Sequence, residues 1–149
     1  MCIRDSTDPE AADQLDLEPE SQLILIDRLR WAGDEPLAID RIWLPADVAE
    51  PLLRADFTHT SLYNELDRSA GMHPNAGWER IHPGIPTDDE RRSLRLADGE
   101  AVFSIERLGT YNGDPLEWRV TTIRGDRFTL VADWTAGQRN ELRPHMRVV

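Results

Sequence analysis

Charged side chains recur at alternate positions in a hairpin-like segment, and they are the groups best suited to binding a charged ligand. Arg28 and Arg30 lie two residues apart, and Asp40 follows in the next run of apolar residues. Because alternate residues of a β-strand point to one face of the sheet, these groups are expected to share a face. Four residues of a second hairpin-like segment continue the pattern: Glu117, Arg119, Thr121 and Ile123.

A face that offers guanidinium, carboxylate and hydroxyl groups suits an anionic small molecule that also carries hydroxyl groups. The same pattern is expected of a plain exposed sheet face with cross-strand ion pairs, and the spacing alone leaves both interpretations open. Trp43 and Trp118 have the opposite parity on their strands, which favours packing in the core over ligand stacking.

The elements that must position these groups are predicted from turns, caps and periodicity. Gly33-Asp34 and Asn112-Gly113 each interrupt an apolar run, as hairpin turns do. Thr87-x-x-Glu90 is a capping box, and Thr60 or Ser61 is an N-cap candidate. Strands are predicted over about 22–31, 35–44, 75–85, 101–108, 114–121 and 127–133, and helices over about 46–54, 61–68 and 88–96. This order predicts the α+β class, with an antiparallel β-sheet flanked by helices.

Charge and composition divide the chain unevenly. The length of 149 residues and a hydrophobic content of 40% suit one domain. Residues 1–21 hold seven acidic side chains against Arg4 alone, which favours a disordered leader or linker whose first residues look unrelated to the rest. The predicted domain therefore spans 22–134, and 135–149 is expected to be a frayed tail. The net charge of −11 argues against binding nucleic acid directly.

Several function classes lose support. No secretory signal or membrane-spanning apolar run is present, which favours the cytoplasm. Cys2 is the single cysteine, and the four histidines are scattered without ligand spacing, so neither a metal nor another cofactor is predicted. No P-loop, dinucleotide fingerprint or nucleophile elbow occurs. An enzyme with a familiar nucleophile is therefore not expected.

Five motifs in order give a more specific indication. They are Arg28-Leu29-Arg30 with Gly33-Asp34-Glu35-Pro36, Trp43-Leu44-Pro45, Ser61-Leu62-Tyr63, Gly113-Asp114-Pro115-Leu116-Glu117, and Arg124-Gly125-Asp126-Arg127-Phe128. In sequence and spacing they resemble the UTRA domain, the effector-binding module of HutC-type GntR-family transcription regulators. The resemblance implies a chorismate-lyase-like fold, a bound metabolite, a homodimer and a DNA-reading winged helix-turn-helix domain upstream. No such domain precedes residue 22, so this chain is expected to be a fragment of a longer regulator.

The resemblance also assigns roles. Arg28 and Arg30 would hold the anionic group, helped by Thr60 or Ser61, and Asp40 and Glu117 would bind hydroxyl or amino groups. Tyr63 belongs to the matched motifs, while Arg119, Thr121 and Ile123 lie on the same predicted face. Asp40 stands where glutamate is usual, Ile123 where an aromatic residue is common, and Trp118 where tyrosine is usual.

The leading hypothesis is therefore a sensor of a small anionic metabolite, such as a sugar phosphate, an amino-acid derivative or a carboxylate. It would reach DNA only through the absent domain, and no contact with a membrane is expected. Two alternatives stay open at this point: a lyase of the chorismate-lyase type, since such enzymes share the fold, and a dimerisation module with a degenerate pocket.

Overall fold

A computed structural model describes residues 1–137 and 141–146. The strands are β1 (Cys2–Ser6), β2 (Leu23–Ala32), β3 (Glu35–Pro45), β4 (Ala76–Gly84), β5 (Val102–Tyr111), β6 (Asp114–Arg124), β7 (Phe128–Asp133) and β8 (Glu141–Met146). The helices are α1 (Pro9–Gln14), α2 (Ala46–Ala49), α3 (Leu62–Ala70) and α4 (Asp88–Leu94), with single 3₁₀ segments at Glu50–Arg54 and Gly125–Arg127. None of the described helices is long and apolar enough to cross a membrane.

Six strands form one antiparallel sheet in the order β1-β2-β3-β6-β5-β4. Both predicted hairpins are present, and each turn contains residues of positive φ, with Gly33 at 64° and Gly113 at 93°. Glycine adopts such backbone angles without steric cost, which explains where the two apolar runs reverse. The predicted α+β class, an antiparallel sheet flanked by helices, is confirmed. Pairing of β3 with β6 sets the two hairpins side by side, so their charged rows meet.

The acidic segment at the start of the chain is folded, which corrects the expectation of a disordered leader over residues 1–21. β1 pairs with β2, and α1 begins after Asp8, whose carboxylate caps the helix by accepting from two backbone N–H groups. Ala11, Ala12 and Leu15 are buried with Trp43 and Trp118 on one face of the sheet. The apolar stripe of α1 is short and is surrounded by acidic residues, so the composition of this segment did not indicate a buried helix. Trp43 and Trp118 pack as core, as their parity predicts.

The helix α4 packs against another part of that same face. The predicted capping box is present: Thr87 and Glu90 bond reciprocally at its first turn. Glu90 also accepts a 2.8 Å hydrogen bond from the Thr122 hydroxyl, which ties the helix to β6. On the opposite face, α2, the 3₁₀ segment Glu50–Arg54 and α3 pack over one end of the sheet through a cluster of aliphatic residues: Ile24, Ile26, Ile42, Leu44, Leu52, Leu62 and Leu66. The charged rows lie beside this cluster on the same face, and Tyr63 of α3 reaches two of their residues, Glu117 and Arg119.

The end of the chain departs from the predicted frayed tail over 135–149. β8 pairs with β7 to form a separate two-stranded sheet, while residues 138–140 and 147–149 lie outside the described residues. The strand lacks an alternating apolar pattern, so periodicity did not indicate it. β7 itself was predicted, although its partner is β8 rather than a strand of the main sheet.

Candidate functional site

The register of the sheet brings the predicted charged residues onto one face, called here the pocket face. Asp40 lies between Arg28 on β2 and Thr121 on β6, its direct neighbours across the strands. The other predicted strand residues, Arg30, Glu117, Arg119 and Ile123, follow at even spacing on the same three strands. The shared face inferred from alternation is therefore present, because no register shift falls between Arg28 and Arg30 or between Glu117 and Ile123.

Asp40 is the charged centre of this face. Its side chain is 0% exposed, and Oδ2 accepts a 2.7 Å hydrogen bond from Nε of Arg28. Nε of Arg30 lies 3.0 Å from the same oxygen, while the Thr121 hydroxyl donates to Oδ1 at 2.7 Å. Burial acts to raise the pKa of Asp40, but the Thr121 hydrogen bond and the two guanidinium charges outweigh it and hold that pKa below its usual value.

Glu117 is the second buried carboxylate of the pocket face, also 0% exposed. Nε of Arg119 lies 3.0 Å from its Oε1, and the Tyr63 hydroxyl donates to that oxygen at 3.3 Å. Nη2 of Arg119 donates in turn to the Tyr63 hydroxyl at 2.9 Å, so three side chains close a ring. Burial, and then the charge of Glu117, raise the pKa of Tyr63. Within the described residues, Oε2 of Glu117 has no hydrogen-bond partner.

A cavity of about 230 Å³ opens on the pocket face. Four predicted residues line it: Arg30, Arg119, Thr121 and Ile123. Five further residues, which sequence reasoning missed, complete the lining: Glu79, Ile81, Ile105, Arg107 and Phe128. β5 lies directly opposite β6, and counting back from the Asn112-Gly113 turn would have placed Arg107 near Arg119. A register shift at Gly109/Thr110 complicates that count.

The remaining predicted residues lie outside the cavity lining. Arg28 contacts Asp40 from the β2 side, and Asp40, Glu117 and Tyr63 lie behind the arginines that face the cavity. Thr60 and Ser61 stand at the start of α3, where the Ser61 hydroxyl accepts from the backbone N–H of Asn64 at 3.2 Å. Ser61 therefore caps α3, and its part in anion binding stays a prediction.

Charge at the site is opposite in sign to that of the whole chain. Four arginines (Arg28, Arg30, Arg107 and Arg119) meet three carboxylates (Asp40, Glu79 and Glu117), which leaves one positive charge in excess. The excess is greatest at Asp40, where two guanidinium groups share one carboxylate. Among the described residues, no group of three or more His, Cys, Asp and Glu side chains could hold a metal ion. The arrangement can thus offer charged donors to an anion.

Comparison with known proteins agrees with this arrangement of strands and helices. The HTH-type transcriptional repressor NagR of Bacillus subtilis is 32% identical over 129 residues, which are 85% of this chain and 52% of that protein. The chain spans about half the length of the curated relatives it matches. The effector domain of PhnF from Mycobacterium smegmatis superposes with a TM-score of 0.77 at 27% identity, covering 91% of this chain and 85% of that one.

A further solved structure, the C-terminal domain of the histidine utilization repressor from Pseudomonas syringae, superposes with a TM-score of 0.79. It is 23% identical and covers 91% of this chain and 95% of that one, which shows a shared fold. The family model of the UTRA domain matches residues 3–129, including the β1 and α1 segment that composition alone assigned to a leader. The resemblance seen in the five motifs is confirmed: this chain belongs to the UTRA domain family.

Proposed function

We propose that this domain is the effector-binding part of a transcription regulator and that it binds a small anionic metabolite in the cavity of the pocket face. The observation that carries the proposal is the pair of guanidinium groups, Arg28 and Arg30, that share the single buried carboxylate of Asp40. One positive charge there has no carboxylate of its own. An anion that enters beside Arg30 would supply the missing negative charge.

The buried carboxylates have a supporting task in this proposal. Asp40 and Glu117 hold Arg30 and Arg119 in place from behind, which leaves the remaining N–H donors of the guanidinium groups for a ligand. Donors that are already positioned bind more tightly, because less side-chain entropy is lost on binding. The names of the relatives support a regulatory task rather than catalysis, since NagR is a transcriptional repressor and the PhnF structure is an effector domain.

The ring of Tyr63, Glu117 and Arg119 links the cavity to α3, so ligand binding can change the position of that helix. Tyr63 lies in the first turn of α3, so an anion that draws Arg119 toward the cavity would weaken a contact of that helix. Coupling between effector and DNA binding is typically about 1–3 kcal/mol, comparable to one or two such hydrogen bonds. The homodimer and the DNA-reading domain stay predictions from the resemblance, and the cytoplasmic location stays a prediction from the lack of a secretory signal.

A thermal-shift screen tests the proposal, with phosphorylated sugars, amino sugars, imidazole acids and small carboxylates as probes. A ligand that binds only the native state must raise the melting temperature with dose. The rise is expected to vanish in Arg30→Ala and to persist in Arg80→Ala, which removes an arginine from the opposite face of the sheet. An equal rise in both variants would contradict the site. Absence of a rise with every probe would contradict an anion-binding function.

A further inference from the structure

The part of the cavity wall formed by β4, β5 and β6 has a charged row and an apolar row, while Arg30, the remaining charged lining residue, stands on β2 in the row of Ile123. Glu79, Arg107 and Arg119 form one row across β4, β5 and β6. The next row on these strands is Ile81, Ile105 and Thr121, of which Ile81 lies directly opposite Ile105. Phe128 packs beyond them against Phe103, with ring centroids 5.2 Å apart. A ligand whose anionic group meets Arg107 and Arg119 therefore has its body against isoleucine and phenylalanine side chains.

The two buried carboxylates are poorly placed to accept hydrogen bonds from a polyhydroxylated ligand. Both oxygens of Asp40 are bonded within the protein, one to Thr121 and the other to Arg28 with Arg30 beside it. Oε1 of Glu117 accepts from the Tyr63 hydroxyl, and its Oε2, which has no partner among the described residues, is buried, so neither carboxylate lines the cavity. Of the residues that do line it, only Glu79 carries a carboxylate, and its side chain is 45% exposed and 3.7 Å from Arg107. Sugar hydroxyl groups placed against Ile81, Ile105 and Phe128 would lose water without gaining partners, which costs affinity.

From these two observations we infer that the effector is an amphipathic anion, a small carboxylate or phosphate whose body is aromatic or branched aliphatic. A sugar phosphate fits this cavity poorly. The inference rests on the proposed function, because it takes the same cavity as the effector site and names the ligand class. Ile123, which is buried and also lines the cavity, adds to its apolar surface.

The experiment compares two probes that share one anionic group. Phenyl phosphate and glucose 6-phosphate are titrated into the protein by isothermal calorimetry. Phenyl phosphate is expected to bind at least about tenfold more tightly, the ratio that corresponds to roughly 55 Å² of additional apolar surface removed from water. Equal affinities or the reverse order would overturn the inference while leaving an anion-binding function intact. If neither probe binds, the inference and the proposed function both fail.

A matched pair of variants locates the preference. Ile105→Thr keeps a β-branched shape but places a hydroxyl group in the apolar row, and the ratio of the two affinities is expected to fall about fivefold. Ile39→Thr makes the same change at a half-buried site on the opposite face, and it should leave the ratio unchanged. A ratio that is unaltered in Ile105→Thr would assign the selectivity to another surface. Phenylacetate against gluconate repeats the comparison with a carboxylate.

Discussion

The Tyr63 hydroxyl donates a 3.3 Å hydrogen bond to Oε1 of Glu117, a residue 54 positions later in the chain. This contact joins the first turn of α3 to β6, one of the two central strands of the sheet. Arg119, which donates to the same hydroxyl at 2.9 Å, also lines the cavity. A cavity-lining arginine and a helix outside the sheet therefore share one half-buried phenol.

The environment of Tyr63 predicts a distinct titration. Burial and the charge of Glu117 raise its pKa above the usual 10.0, so this phenol is expected to ionise later than a solvent-exposed tyrosine. The chain has two tyrosines, and the other, Tyr111, makes no side-chain hydrogen bond among the described residues. Ultraviolet titration should show a late step that Tyr63→Phe removes and Tyr111→Phe retains. Loss of the late step in Tyr111→Phe instead would contradict the geometry.

Asp40→Asn should destabilise the fold, because it leaves the guanidinium groups of Arg28 and Arg30 beside a neutral amide. Removing one partner of a buried pair costs about 3–5 kcal/mol, and the partial exposure of both arginines reduces the expected loss to about 2 kcal/mol. Urea denaturation measures the change. Asp34→Asn, an exposed site in the nearby turn, is the control and should differ from wild type by less than about 0.5 kcal/mol.

Asp40 also predicts how stability depends on pH. Its pKa in the folded protein lies below the usual 3.8, so the carboxylate stabilises the fold above that value and the gain is lost as the pH falls through the folded pKa. The difference in unfolding free energy between wild type and Asp40→Asn is expected to be full at about pH 7 and to shrink below about pH 4. A difference that stays constant down to about pH 3 would mean that Asp40 does not carry this charge.

Leu15 tests whether the acidic segment is part of the domain. It is 2% exposed and packs with Trp43 and Trp118, so Leu15→Ala should cost about 2–4 kcal/mol of unfolding free energy. Leu53→Ala removes the same atoms at a site that is 37% exposed and should cost less than about 1 kcal/mol. Equal small losses of unfolding free energy in both variants would mean that residues 1–21 are a linker outside the domain. Tryptophan fluorescence gives a second readout of the same contact.

The sequence by itself determined the features that depend on neighbours along the chain. Both hairpins, the capping box of Thr87 and Glu90, and the common face of Arg28, Arg30 and Asp40 follow from turn residues, caps and the two-residue period of strands. The order of the five motifs was enough to recognise the family, because a family resemblance does not require knowledge of which residues are in contact.

Only the tertiary structure decided which distant elements meet. Pairing of β3 with β6 joined the hairpins and placed Thr121 on Asp40, and pairing of β4 with β5 brought Glu79 and Ile81 to the cavity. The local pattern of apolar and polar residues does not indicate which distant strands pair. That pairing depends on how the apolar faces of separate elements are buried together. For the same reason α1 was not predicted. Its apolar residues Ala11, Ala12 and Leu15 are buried only because Trp43 and Trp118 lie beside each other in the folded sheet.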